Sequence, residues 1–157
     1  MSVDAPAQRA VNGTDFRIGI AAARFNEELV DGLLSRTLEV LRGAGVKEVN
    51  LAIVRVPGSH EVPWAVQTLA TGSQCDCVIG LGVLLAGDTN HHEMVGESVS
   101  QALQRVALDT RTPVINGVIV VNSLEQARER CLGRINRGAE FAHAALEMAA
   151  LRRKFPR

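Results

Sequence analysis

Apolar positions alternate along the chain between short β-compatible runs and longer stretches at helical spacing. Residues 17–23 form the first such run. Over 26–42, Leu29, Val30, Leu33, Leu34, Leu38 and Leu41 fall on one helical face. Asn26 suits the N-cap, Glu27 and Glu28 the positive end of the helix dipole, and Gly43 and Gly45 the terminus. Residues 48–56 read as a second strand, Pro57-Gly58-Ser59 as a turn, and 60–69 as a helix that tolerates Pro63 near its start. The third strand, 75–85, is almost continuously apolar, as a strand covered on both faces must be. After the turn Gly87-Asp88-Thr89-Asn90, Asn90 and Glu93 set out a capping box for a helix reaching about residue 108. A fourth strand spans 113–121. Ser123 and Gln126 repeat the capping pattern for a short helix over 125–131, and a kink near Gly133 precedes a last helix over 138–153.

Strands alternating with helices in this way predict an α/β fold: a four-stranded parallel sheet with helices on both faces, joined by right-handed crossovers. Residues 1–15 are small and polar, and read either as a flexible arm or as a strand in need of a partner. With no repeat, linker or low-complexity tract, residues 16–157 read as a single domain.

In an open α/β sheet, ligands bind beyond the carboxyl ends of the strands. The segments expected there are Arg24-Phe25-Asn26, Pro57-Gly58-Ser59-His60-Glu61, Gly87-Asp88-Thr89-Asn90-His91-His92 and Asn122-Ser123. Three of the four histidines collect on this edge, whereas the opposite edge holds ordinary turn residues. Each piece has a plain reading as well as a functional one. Phe25 is either a staple against the core or a ring that stacks on a planar ligand. Glu61 either complements a helix dipole or lines a site. The Gly87-Asp88-Thr89 turn either caps a helix or cradles a phosphate. His91 and His92 point about 100° apart on a helix and cannot chelate one metal together; one is a proton shuttle, or both are a solvated pair at a cap. Arg128, Arg130, Arg134 and Arg137 form either a solvated helix face or a guanidinium site for phosphate.

Composition narrows the classes. Lys+Arg and Asp+Glu are both 17, for a formal charge of zero, and aromatics are 3%; both disfavour nucleic acid. The dinucleotide fingerprint fails, because Gly80-Leu81-Gly82 lacks its third glycine and lies within a strand. No phosphate-loop or HExxH zinc motif occurs, and no metal site is expected. The three cysteines read as buried thiols of a reducing compartment, with Cys75 and Cys77 facing the same side of a strand. Residues 1–15 hold no apolar signal region, and the longest apolar run, 77–86, is too short to cross a bilayer. A soluble cytoplasmic protein is the expectation.

Taken together, Ala23-Arg24-Phe25-Asn26, Val56-Pro57-Gly58-Ser59-His60-Glu61-Val62-Pro63, Gly87-Asp88-Thr89-Asn90-His91, Asn136-Arg137-Gly138-Ala139-Glu140 and Ala145-Leu146-Glu147-Met148-Ala149 resemble the 6,7-dimethyl-8-ribityllumazine synthase family, in order and spacing from about residue 16 to 151. The resemblance implies a flavodoxin-like three-layer fold and an enzyme of riboflavin biosynthesis. In that family 5-amino-6-(D-ribitylamino)uracil condenses with 3,4-dihydroxy-2-butanone 4-phosphate to give the lumazine, phosphate and water, with no cofactor. It further implies that Phe25 stacks on the pyrimidine, that Ser59, His60 and Glu61 hold the ribityl chain, and that Val83, Leu84 and Leu85 present backbone groups to the uracil edge. Asp88, through its N–H, and Thr89 would hold the phosphate together with Arg130; His91 would be the general acid/base, and Asn116 would stand on the pyrimidine side. Residues matching Asn116 and Arg130 come from the neighbouring subunit in the family, whose members are pentamers, sometimes decamers or icosahedral shells. The N-terminal arm would then add to a neighbour's sheet. The alanine-rich stretch 139–150 fits either close packing between subunits or packing on its own sheet.

The chain departs from the pattern in places. His60 stands where an aromatic residue is usual, Asn116 where some members have Phe, and Ala86 where Arg often precedes the phosphate turn. The departures at His60 and Ala86 motivate a competing expectation: a paralogue that binds riboflavin or lumazine, or builds a shell, without catalysis.

Overall fold

The structure, a computed structural model, describes residues 4–155. Four strands, β1 (Ile18–Ala23), β2 (Leu51–Val56), β3 (Cys77–Leu85) and β4 (Val114–Val121), form one sheet in the order β2-β1-β3-β4. Every pair is parallel, with Ile18 opposite both Leu51 and Cys77, and Val78 opposite Val114. This is the flavodoxin-like strand order, and the chain reverses direction between β1 and β3, where the carboxyl ends open a crevice. Five helices connect and cover the sheet: α1 (Glu27–Gly43), α2 (Val62–Gly72), α3 (His91–Thr110), α4 (Leu124–Cys131) and α5 (Arg137–Arg153).

The period-2 geometry of the strands divides the core into two layers. Ile18, Ile20, Ala22, Cys77, Ile79, Leu81 and Val83 point to the side covered by α1, α4 and α5. Ala21, Ala23 and Val78 point to the other, against Val62, Val66 and Leu69 of α2 and Val95, Val99 and Leu103 of α3. The alanine-rich face of α5 is spent on the chain's own core: Ala142, Ala145 and Ala149 are fully buried in the α1 layer. Gly138 lets α5 approach α1 closely, since a Cβ there would lie 2.5 Å from the Leu33 carbonyl oxygen.

Several local expectations are corrected. Residues 48–50 form a 3-10 turn, so β2 begins only at Leu51. Ser59–Glu61 form another, ahead of α2. Cys75 precedes β3, after Gln74 at a positive φ of 51°, and packs in the α2–α3 layer, whereas Cys77 lies in the α1–α5 layer; the two thiols do not share a face. Burial pushes the Cys77 thiol far up and the Cys131 thiol up to about 11, so neither is a nucleophile. Asn26 and Asn90 flank helix starts without side-chain caps. Ser123 does cap α4, accepting from the Gln126 N–H at 3.1 Å, while Gln126 Oε1 reaches back to the Asn122 N–H at 2.9 Å.

At the amino-terminal arm, no residue from 4 to 14 enters a strand; residues 1–3 lie outside the described part. Val11 packs on the core, the Gly13 N–H donates to the Ala44 carbonyl at 2.8 Å, and Ala5–Gln8 run beside Phe141 and His143 of α5.

At the amino-terminal edge of the sheet, the side chain of Asp76 is 4% exposed and ties three segments together. It accepts from Arg153 at 2.8 and 2.9 Å and from the Arg17 N–H at 2.8 Å. Burial acts to raise its pKa, but the Arg153 and Arg17 hydrogen bonds and the nearby positive charge outweigh it and hold the carboxyl below its ordinary value. A lowered folded-state pKa gives stability that is complete above the unfolded value and lost as pH falls through the folded one. Asp76→Asn is therefore expected to cost about 2–3 kcal/mol at pH 7. In denaturant titrations across pH, that deficit should shrink below about pH 4, where the unfolded carboxyl protonates. A deficit constant down to pH 2 would contradict this.

Candidate active site

The crevice at the carboxyl ends of β1, β2 and β3 holds a cleft of about 520 Å³, a size suited to small molecules. Its first wall is the turn after β1. Phe25 is 71% exposed, so it is no staple; its ring lies over Gly58, where a Cβ would come within 3.0 Å of the ring edge. The turn is pinned to its neighbours: the Arg24 and Phe25 N–H groups donate to the Val56 and Pro57 carbonyls, and Asn26 Nδ2 donates to the Val83 carbonyl at 2.9 Å. Asn26 takes a left-handed conformation (φ 58°), which asparagine tolerates better than most side chains. It acts as a clamp between β1 and β3 rather than as a cap.

The second wall is the 3-10 turn after β2. Glu61 accepts from the Gly58 N–H at 2.9 Å, holding the turn shut with one carboxylate oxygen. Beside it, Ser59 is buried and its Oγ has no hydrogen-bond partner. Gly82 of β3 makes room for this hydroxyl, since a Cβ there would lie 2.4 Å from Oγ. His60 lines the cleft and is exposed. The floor is the end of β3, where Val83, Leu84 and Leu85 line the cavity.

The third wall is the turn into α3. Gly87 and Thr89 line the cleft, and Asp88 sits exposed between them. Residues 91–93 begin α3, so its positive dipole end attracts anions here; the His91 N–H donates to Thr89 Oγ1 at 3.4 Å and the Glu93 N–H to the Asn90 carbonyl at 3.1 Å. His91 stands exposed in the lining, and His92 is 8% exposed; the two are not a solvated pair. Asn116 and Arg130 do not line the cavity. Asn116 lies mid-strand on the sheet edge opposite Gly80, with Oδ1 accepting from the Val118 N–H at 3.0 Å. Arg130 lies on α4 and donates to the Gln126 carbonyl at 3.2 Å. Nearby, Arg137 pairs with Glu140.

Sequence reasoning missed the Asn26–Val83 clamp, because asparagine before a helix signals a cap. It also missed that His92 is buried, with Oδ1 of the exposed Asn122 3.4 Å from its Nε2. Among the described residues no group of three or more His, Cys, Asp or Glu could hold a metal ion, and no helix is long and apolar enough to cross a membrane.

An aromatic platform, a polar turn, an anion-attracting helix start and an exposed imidazole around one crevice define a small-molecule site of the α/β enzyme class. The family model of 6,7-dimethyl-8-ribityllumazine synthase matches residues 15–153. Proteins of that name from Nitrosospira multiformis and Halorhodospira halophila are each 41% identical, covering 91% and 89% of this chain and 88% and 90% of their own. Another from Thermococcus gammatolerans is 41% identical over 90% of this chain and 91% of its own. The chain belongs to the 6,7-dimethyl-8-ribityllumazine synthase family.

Proposed function

We propose that this chain catalyses the condensation of 5-amino-6-(D-ribitylamino)uracil with 3,4-dihydroxy-2-butanone 4-phosphate, releasing the lumazine, phosphate and water. The observation that carries the proposal is the convergence of Phe25, Ser59, Thr89 and His91 on one cleft in a chain of this family. Phe25 offers an exposed ring for the pyrimidine, and Ser59, His60 and Glu61 border the space for the ribityl chain. Backbone groups of Val83, Leu84 and Leu85 face the uracil edge. Asp88 N–H, Thr89 and the start of α3 take the phosphate. Most of the barrier is lowered by holding amine and ketone together. An imine then forms with loss of one water, phosphate leaves by elimination to an enol that tautomerises to a ketone, and the second nitrogen attacks that carbonyl and closes the ring with loss of a second water. His91 carries the protons that these steps exchange, which one imidazole does near neutral pH. No metal or redox step is needed.

The family implies an oligomer, and the proposed form is a homopentamer in the cytoplasm, alone or stacked into larger shells. In it, Asn116 and Arg130 of the partner subunit complete each cleft. Two features support this: Asn116 and Arg130 sit on the β4–α4 flank outside their own cavity, and large apolar side chains, including Trp64 (72% exposed) and Leu108 (70%), are uncovered on the single chain. The organisation proposed for the chain is an arm over residues 1–15 and one catalytic domain over 16–157.

The test is to mix both substrates with the protein and follow the fluorescence of the lumazine. Product forming far faster than in buffer is expected. Tight riboflavin binding with no product would instead mark a carrier.

A further inference from the structure

We infer that His92, through Asn122, is a positioning residue that aims His91 into the cleft. The inference rests on the proposed role of His91. His91 and His92 are the first two residues of α3, about 100° apart around its axis. Seating one imidazole on the sheet side therefore turns the other outward. His92 is the seated one, 8% exposed, and His91 is the exposed one. A buried imidazole is a costly way to fill that space unless its nitrogens find partners. His92 has one: Nε2 lies 3.4 Å from Asn122 Oδ1, while Nδ1 is buried without a partner. An amide oxygen only accepts, so it selects the tautomer with the proton on Nε2. Asn122 is itself held, its N–H donating to Gln126 Oε1 at 2.9 Å. One turn further along α3, Gly96 rides directly on β4; a Cβ there would lie 2.6 Å from Val120 Cγ2. These two contacts set the height and the rotational phase of the first turn of α3. The His92–Asn122 pair is the polar one, and His92 borders the cleft beside His91.

The test is a double-mutant cycle in the intact oligomer, with kcat and the KM of each substrate measured for His92→Phe, Asn122→Ala and the pair, beside His91→Ala. Phe keeps the bulk and removes the hydrogen bond. Each single variant is expected to lower kcat about 10-fold with both KM values within about twofold, because misplacing a reacting group costs rate more than binding. The double variant should be no slower than either single one, since all three break one contact. Asn122→Asp keeps the acceptor and should recover most of the rate. Full kcat in His92→Phe, effects that multiply to about 100-fold in the pair, or no recovery in Asn122→Asp would overturn the inference. If His92→Phe fails to assemble, the contrast between Asn122→Ala and Asn122→Asp decides alone. A fully active His91→Ala would remove the underlying reading instead. An impaired His91→Ala with multiplying His92 and Asn122 effects would remove only the positioning role.

Discussion

Replacing His91 with alanine is expected to lower kcat by about 10²-fold or more, the usual contribution of a positioned general acid/base. Substrate KM values and assembly should change little. The side chain stands in the lining of the cleft, exposed, at the first position of α3. Its removal leaves no hole in either core layer, because the buried α3 side chains are His92, Val95, Val99, Leu103 and Val106. The loss should therefore appear in rate and not in folding. Lumazine formation under saturating substrates, with size-exclusion chromatography of the same sample, makes the comparison. Turnover equal to the parent protein would take His91 out of the chemistry.

Arg130→Ala should act differently. A guanidinium binds phosphate through charge-assisted, bidentate hydrogen bonds, and losing one such partner costs about 2–5 kcal/mol. The expected result is a KM for the butanone phosphate raised about 30-fold or more, with the KM for the pyrimidine nearly unchanged. The effect should shrink for a substrate analogue without phosphate. Among the described residues the Arg130 guanidinium bonds only to the Gln126 carbonyl, one turn earlier on α4, so truncating it should not unfold the helix. Equal changes in both KM values would point to distortion of the cleft instead of lost phosphate contact.

The fold was legible because its strongest signals are local and repeated. The nearly unbroken apolar run of 77–85, its length and its glycines fit a strand covered on both sides, and the six leucines and valines of α1 mark one face. Glu48-Val49-Asn50 alternates like a strand, but its backbone closes a 3-10 turn; a three-residue stretch holds too little pattern to separate the two. Strand spacing puts Cys75 and Cys77 on one face, which fails because the strand starts only at Cys77. At the site, the four loops were placed by topology alone. What the loops do with their polar side chains was not legible. The Asn26 amide reaches a residue 57 positions away. His92 is buried beside Asn122, 30 positions further along the chain. The separation of Asn116, on β4, and Arg130, on α4, from the cleft of their own chain is likewise set by the packing of whole elements and not by local pattern.

In the proposed assembly each cleft draws His91 from one subunit and Arg130 from the next. Subunit mixing tests it: His91→Ala and Arg130→Ala proteins are unfolded together at equal amounts, refolded, and assayed at butanone phosphate levels where each parent is nearly inactive. Random assembly places an intact His91 beside an intact Arg130 of the partner subunit in about a quarter of the clefts, so activity should recover to about a quarter of that of the unmodified protein. If both groups of a cleft came from one chain, every cleft would carry one lesion, and the mixture would be no more active than its parents.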